Sequence, residues 1–533
     1  MLVCAADTLL GRRYYPYHRS NNPPPRLPAE PTANAKPASN PSAEPSLPTP
    51  TDEQVKAADA FHAGHHLVLQ AGAGTGKTTT LVQLATGTKR RGGYLAFNKD
   101  IASDASTRFP RTVLCKTAHA TAYAALGHRY VRRLNSPRQA GWKIGQALGI
   151  TRAVQIGDRE VGPRTLSNTA LRTVTRFCHS ADHTLAHHHV PPLRGLGTPA
   201  QHAQLAEVVL PFAVKVWADL HNADDGMVRF EHDHYLKMWA LTNPRIDADF
   251  LFLDEAQDTN PVLEQVFAAQ RDHAQLVMVG DSAQAIYGWR GARDVMTGFD
   301  ATHLTLTQSF RFGPLVAEQA NRWLELADAP IRLTGSQSIP TEVGDIARPD
   351  AVLCRTNIGA MTEVMRLLTQ GHHVALTRGG HTLQALALAA RALKEGRRTG
   401  HPELVLFASW GELQDYAAYD PAGGDLQPFA DLVDKHGPDA ILAAVDELTD
   451  EEHADVTVST AHKAKGREWT TVKIGDYFPP PKETDQRDGQ GRPIPEPISD
   501  TDARLAYVAV TRARRQLDLG GLSWIDSYPS HRR

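Results

Sequence analysis

Only four of the 533 residues are cysteine, Cys4, Cys115, Cys178 and Cys354, and no two form a C-x-x-C pair. That scarcity excludes a disulfide framework and suits a reducing compartment. Charge of one sign is lacking too: 57 Lys and Arg against 59 Asp and Glu leave a net charge of -2. Affinity for a polyanion must therefore come from a local basic or aromatic groove. No apolar run approaches the roughly 20 residues needed to span a bilayer, and the N-terminus lacks a charged start followed by an apolar signal region. The expected setting is cytoplasmic, with no membrane partner. No repeat of roughly 20 to 50 residues is visible.

What is present divides by composition. Residues 1–50 are dense in Pro, Ala, Ser and Asn with few large apolar side chains, so they read as a disordered Pro-rich tail. The stretch 479–500, "PPPKETDQRDGQGRPIPEPISD", reads as an exposed loop. Between them short apolar runs such as "HLVLQ", "FLFLDE", "QLVMVGD", "AVLCR" and "VTVST" alternate with helical stretches. That alternation predicts parallel sheets whose sites lie at the carboxyl ends of the strands.

"AGAGTGKT", residues 71–78, follows G-x-x-x-x-G-K-[ST] with Ala71 in place of the first glycine. Gly72, Gly74 and Gly76 open the loop so that backbone N–H groups, those of Ala73 and Thr75 among them, can approach phosphate oxygens. The helix that follows, beginning Lys77, Thr78, Thr79, adds its positive end. Lys77 can reach the terminal phosphates and the Thr78 hydroxyl can ligate Mg2+. In "FLFLDEAQD" a strand carries Asp254 and Glu255 to its end, one carboxylate for the metal and its neighbour to orient and deprotonate water. Hydrolysis of ATP is the reaction this pairing predicts. The next strand ends in "VGDSAQAIYGWRGA": Gln284 can sense a terminal phosphate, while Tyr287, Trp289 and Arg290 offer stacking and cationic surfaces to single-stranded nucleic acid.

In order along the chain, "TDEQ", "AGAGTGKT", "YLAFNKD", "KTAHATAY", "FLFLDEAQDTNP", "VGDSAQAIYGWRGA", "LTQSFRFG", "VTVSTAHKAKGREW" and "RLAYVAVTRARRQL" resemble the UvrD/Rep branch of superfamily 1 DNA helicases. "AFNKDIA", "SFRFG" and "HKAKGREWTTVKIGDYF" are most similar to the F-box DNA helicases within it, although no F-box is evident before residue 51. The resemblance implies an α/β fold: two RecA-like P-loop motor domains with parallel sheets, each interrupted by a mainly helical accessory insert. The first motor domain is expected at 51–116 and 241–305 around an insert at 117–240, the second at 306–380 and 452–533 around a short insert at 381–451. Gln54 would recognise adenine, Phe310 would stack on it, and Glu468 would contact the ribose. Arg311 and Arg512 would enter from the second motor domain to stabilise the transferring phosphoryl group. The DNA track would comprise Phe97, Asn98, Thr117, His119, Tyr287, Trp289, Arg290, His462 and Lys463. Two positions depart from the family pattern: Ala118, where an aromatic is frequent, and Arg467, where an apolar residue is common.

The expected activity is 3'-to-5' translocation and unwinding driven by ATP and Mg2+, on single-stranded and tailed duplex DNA, in repair or recombination control with proteins of those pathways as partners. The rival is an ATPase stimulated by single strands that displaces bound proteins and leaves duplex intact. A helicase–nuclease is the less expected class, since little chain follows Arg512. One histidine pattern stands apart: His179, His183 and His187 are spaced for one helical face beside Cys178. A solvated or phosphate-facing surface is the expected reading there, ahead of a zinc site.

Overall fold

The computed structural model describes residues 49–528 apart from 97, 135, 137–140, 194–195, 287–293, 402–403, 405–406, 420–425, 477, 488, 490 and 492. Nearly all of the expected tail, and Phe97, Tyr287, Trp289 and Arg290, lie outside the described residues. The chain divides into two compact units, Pro50–Arg355 with Ala461–Arg533, and Met1–Thr49 with Thr356–Thr460. Among the described residues no helix is long and apolar enough to cross a membrane.

In the larger unit six strands, β1 (Leu67–Ala71), β2 (Gly92–Ala96), β3 (Val113–Thr117), β4 (Phe250–Leu253), β5 (Gln275–Gly280) and β6 (Thr302–Leu306), form one sheet. Their order is β3-β2-β4-β5-β1-β6, and every pairing is parallel. The unbroken apolar runs have a direct cause, because both faces of this sheet are covered. Leu67, Leu69, Phe250, Phe252, Val277 and Val279 pack into one core cluster. Their neighbours Val68, Leu251, Leu253, Leu276 and Met278 pack into another on the opposite face. Burying each such side chain contributes about 1.5–3 kcal/mol. Because all six strands run the same way, β1, β4, β5 and β6 deliver the phosphate loop, Asp254, Asp281 and "TQSFRF" to one edge.

A second set of parallel strands in this unit pairs Ala351–Cys354 with Trp469–Ile474, Trp469–Ile474 with Ala513–Asp518, and Ala513–Asp518 with Glu342–Val343. The helices Pro314–Leu326 and Asp500–Val510 pack beside these strands in a core that includes Phe312, Trp323, Val472 and Leu517. Phe312, at the end of "SFRF", is fully buried there. The smaller unit pairs Val374–Leu376 in parallel with Val456–Thr460 and adds helices such as Asn357–Thr369 and His381–Lys394.

Between β3 and β4 the chain is mainly helical. Pro163–Cys178 and Pro199–His221 each start with proline in the first turn, where its missing N–H costs nothing. Thr198 and Gln201 close a capping box on the second. The helical face read for His179, His183 and His187 does not form: the helix ends at Cys178, His179 caps it, and His187–His189 is a separate 3-10 turn. Buried Lys237 supplies a cause, its ammonium taking the carbonyls of Ser180 and Asp182 at 2.8 and 2.5 Å. The stretch 479–500 is likewise more than a loop, since Glu483–Arg487 and Pro493–Pro495 pair as an antiparallel ribbon. Gly491, at φ +80°, helps reverse the chain between them.

Candidate nucleotide site and strand track

The phosphate loop leaves β1 and enters the helix Lys77–Thr86 through Gly76, whose left-handed φ of 79° only glycine adopts without strain. Gly74 is equally constrained, because a Cβ there would lie 2.5 Å from Ser309 Oγ and 2.6 Å from Arg311 Cβ. The residues after β6 are fastened to this loop: Ser309 Oγ donates to Ala73 O at 2.9 Å and Phe310 N to Gly74 O at 2.8 Å.

At the far side of the loop Thr78 Oγ1 donates to Asp254 Oδ2 at 3.0 Å, and Tyr94 Oη donates to the same oxygen at 2.6 Å. Lys77 Nζ lies 3.7 Å from Glu255 Oε1. Burial, followed by the Glu255 charge, pushes the Asp254 carboxyl up. Burial acts on Glu255 in the same sense, but Lys77, Lys465, Gln257 and Arg512 outweigh it and hold that carboxyl below its ordinary value. Glu255 stays anionic at neutral pH, as a group that orients and accepts from water must. Its backbone is left-handed at φ 51°, a strained conformation for a side chain of this size. The Thr78 hydroxyl and Asp254 carboxylate form a hard, all-oxygen pair that fits a divalent cation such as Mg2+.

Gln54 comes from the helix Asp52–His62, where it closes a capping box with Thr51. Its Oε1 accepts from Thr51 N at 3.0 Å and its Nε2 donates to Thr80 Oγ1 at 2.9 Å. One amide hydrogen and one lone pair stay available, the complement an adenine edge requires. Phe310 is 43% exposed, the position of a ring open for stacking. The space where a Gly76 side chain would begin is flanked by Gln54 Nε2 at 3.5 Å and the Phe310 ring at 3.7 Å. Thr79 turns instead to Arg108, whose NH2 donates to its hydroxyl at 3.0 Å.

Two arginines approach the same edge, Arg311 from the segment after β6 and Arg512 from the start of the strand Ala513–Asp518. Arg311 is held by Glu468 Oε2 at 2.6 Å and Thr511 O at 3.1 Å. Glu468 is thus paired with Arg311 and, at 3.6 Å, with Arg514. Arg512 is fully buried; its Nε donates to Val508 O, its NH1 to Arg467 O and its NH2 to Thr511 Oγ1, with Gln284 Oε1 at 3.5 Å. Burial and the Arg311 charge push its guanidinium down to about 9, still cationic at neutral pH.

Several side chains that meet the site escaped the sequence reading. Lys465 Nζ meets Asp258 Oδ2 at 2.5 Å and Gln284 O at 2.6 Å. Burial pushes the Asp258 carboxyl up to about 6. The third acid of "DEAQD" and the second lysine of "HKAKG" were the signals for this pair, although 207 positions separate the two residues. Tyr94, first residue of "YLAFNKD", carries no role in that reading. Tyr507, inside "RLAYVAVTRARRQL", carries no role in that reading, yet it donates to Asp281 Oδ2 at 2.8 Å and accepts from Ala73 N at 2.9 Å, so the Ala73 N–H expected to face phosphate is held by the phenol.

The expected DNA track is less converged. Asn98 and Thr117 serve as helix N-caps, accepting from Ile101 N at 2.9 Å and Ala120 N at 3.0 Å. His119 Nε2 and His179 Nε2 each lie 2.9 Å from one of the two Asp233 carboxylate oxygens. His462 is half-buried and Lys463 is buried. A cavity of about 80 Å3 lies between Asp254 and Asp258 on one side and Ala118 and His119 on the other.

Comparison with known proteins finds two family profiles on the chain. An AAA domain family profile matches residues 54–290, and one for the UvrD-like helicase C-terminal domain matches residues 439–522. F-box DNA helicase protein 1 of Schizosaccharomyces pombe is 31% identical over 522 residues, covering 90% of this chain and 58% of the relative. F-box DNA helicase 1 of Gallus gallus is 28% identical over 494 residues, covering 85% of this chain and 47% of the relative. The chain spans about half the length of the curated relatives it matches.

Proposed function

The chain belongs to the UvrD-like helicases, related to the F-box DNA helicase branch, and on that premise we propose that it hydrolyses ATP to move 3'-to-5' along single-stranded DNA and unwind tailed duplex. The observation that carries the reading is the Thr78–Asp254 contact at 3.0 Å beside the Lys77–Glu255 pair at 3.7 Å. Metal ligands, phosphate ligand and water-orienting base stand together at one sheet edge. Adenine would lie between Gln54 and Phe310, with its triphosphate along the glycine loop. Thr78 and Asp254 would hold Mg2+, whose contribution is to neutralise phosphate charge. Glu255 orients the attacking water and takes its proton, while Lys77, Arg311 and Arg512 offset the charge that builds on the transferring phosphoryl group.

The proposed motor domains are 51–116 with 241–305 and 306–380 with 452–533, separated by inserts at 117–240 and 381–451. Because the arginines stand on the second of these and the phosphate loop on the first, hydrolysis depends on their approach. We assign the strand to Asn98, Thr117, His119, His462 and Lys463, together with Phe97, Tyr287, Trp289 and Arg290. The free thiols of Cys115, Cys178 and Cys354 support a reducing, cytoplasmic setting, and DNA repair or recombination is the pathway class proposed.

ATPase assays with and without single-stranded DNA, run beside unwinding of 3'- and 5'-tailed duplexes, test the reading. Strand-stimulated turnover with loss of the 3'-tailed duplex is the expected result. A second reading draws support from the caps at Asn98 and Thr117, which commit those side chains to local structure: a strand-stimulated ATPase that strips bound proteins. Stimulated turnover with every duplex intact would select it.

A further inference from the structure

Tyr507 has no part in the phosphate chemistry described so far, yet it stands at the centre of a buried polar network in the larger unit. Its hydroxyl has one proton to give and lone pairs to accept with, and both capacities are used in full burial. It accepts the Ala73 amide of the phosphate loop at 2.9 Å and donates to Asp281 Oδ2 at 2.8 Å. The same Asp281 oxygen accepts from Gln284 Nε2 at 2.6 Å, while Oδ1 accepts from Ala283 N at 3.1 Å. Asp281 N donates to Gln257 Oε1 at 3.0 Å, and Gln257 Nε2 donates to Glu255 Oε2 at 2.5 Å. One continuous chain of hydrogen bonds therefore runs from the phosphate loop through Tyr507 and Asp281 to both Gln284 and Glu255.

The helix Asp500–Val510 gives this chain a lever. It carries Tyr507 within its length, and Arg512 follows Thr511, the residue that caps its end. Arg512 Nε is anchored back onto Val508 O at 2.8 Å, so the phenol and the guanidinium move as one body. Gln284 is gripped from both sides, its Nε2 by Asp281 and its Oε1 facing Arg512 NH2 at 3.5 Å. Burial keeps the phenol protonated, and the Asp281 charge beside it acts in the same sense. The donor that Asp281 needs is therefore always present.

We propose that Tyr507 is a positioning residue for ATP turnover, fixing the phosphate loop in register with Gln284, Glu255 and Arg512 through its bonds to Ala73 and Asp281. The inference rests on the ATPase reading above and adds a residue to it. Tyr507 touches no reacting atom. Its removal should therefore lower the rate of the chemical step while leaving nucleotide affinity in place.

Tyr507→Phe removes one oxygen and keeps the ring, so core packing survives. Expected is a fall in kcat of about tenfold to a hundredfold, the range for a buried hydrogen bond to a charged group. KM for ATP, and Kd for a fluorescent ATP analogue, should stay within about twofold, since the lost hydroxyl bonds to the loop amide of Ala73 and not to the nucleotide. Asp281→Asn, which must turn an amide N–H toward one of three donors, should reproduce that split. The double variant should be no slower than the slower single, because both break one chain.

Wild-type kcat in Tyr507→Phe, or losses that multiply in the double variant, would overturn the proposal. So would kcat and affinity falling together with the melting temperature, the mark of a purely structural residue. If Tyr507→Phe does not fold, Asp281→Asn reads the chain from its other end, and an unchanged kcat there has the same force. Lys77→Ala separates the two readings: turnover surviving in that variant defeats the ATPase assignment, whereas a dead Lys77→Ala beside a fully active Tyr507→Phe defeats only the role of Tyr507.

Discussion

The proposed nucleotide site and the described residues of the proposed strand track are built in opposite ways. Around the phosphate loop, side chains from Gln54 to Arg512 converge; Lys77 pairs with Glu255 and Arg311 with Glu468, and Asp254, Asp281 and Arg512 are buried. Along the track, Asn98 and Thr117 cap helices and His119 shares an aspartate with His179. The difference teaches where rigidity is invested. Phosphoryl chemistry needs charges held within fractions of an ångström, so its supports are buried. A strand read without regard to sequence tolerates looser contacts, so residues there can also serve the local fold.

The largest effects should come from breaking the rigid side. Lys77→Ala and Glu255→Gln are expected to lower ATP turnover by about 10^3-fold or more, with Glu255→Gln still binding nucleotide in an equilibrium assay. If either kept normal turnover, the contrast between the regions would collapse. Arg512→Lys should cost about 10^3-fold in kcat, because a lysine cannot reproduce the planar fork that serves Val508, Arg467 and Thr511 together. A melting curve run beside it shows whether the buried site has survived.

Acidity offers a sharper comparison. Burial raises the Asp258 carboxyl to about 6, so below that pH it becomes neutral and its ion pair with Lys465 is lost. Turnover should fall as pH drops through about 6, and Asp258→Asn should remove that limb. Stability should move the other way over about pH 6 to 4, since the folded chain binds this proton more tightly than the unfolded one does. On the track side Asp233→Asn should cost only about 1 kcal/mol in a denaturant titration, because the Asp233 carboxylate is half-exposed. It should change strand stimulation severalfold at most. A collapse of basal ATPase in that variant would show that the two regions are one mechanical unit.

Much of the nucleotide site was legible because its chemistry is local. The glycine loop, the strand-end acids and Gln284 each announce themselves within a few residues, and parallel strands bring such ends together by topology alone. Asp258, Lys465, Tyr94 and Tyr507 were not legible, since each acquires its role from a partner remote in sequence: Tyr507 is 434 positions from Ala73. Lys465, held by Asp258 and Gln284, stands two residues beyond the Lys463 that the family resemblance assigned to the strand, and no local pattern singles it out. The histidine face failed for a similar reason, because periodicity cannot register the buried Lys237 that claims the carbonyls of Ser180 and Asp182. The hairpin inside 479–500 was hidden by its Pro-rich, polar composition.

Glu255 holds a left-handed backbone at φ 51°. Glycine adopts that conformation freely, and a long side chain there costs roughly 1 kcal/mol or more. Drift at this position under selection for folding alone would therefore run toward glycine, yielding a chain that is better folded and chemically silent. A saturation library scored separately for abundance and for turnover should rank Glu255→Gly near the top of the first scale and at the bottom of the second. The acid persists at residue 255 only for as long as turnover is what is selected.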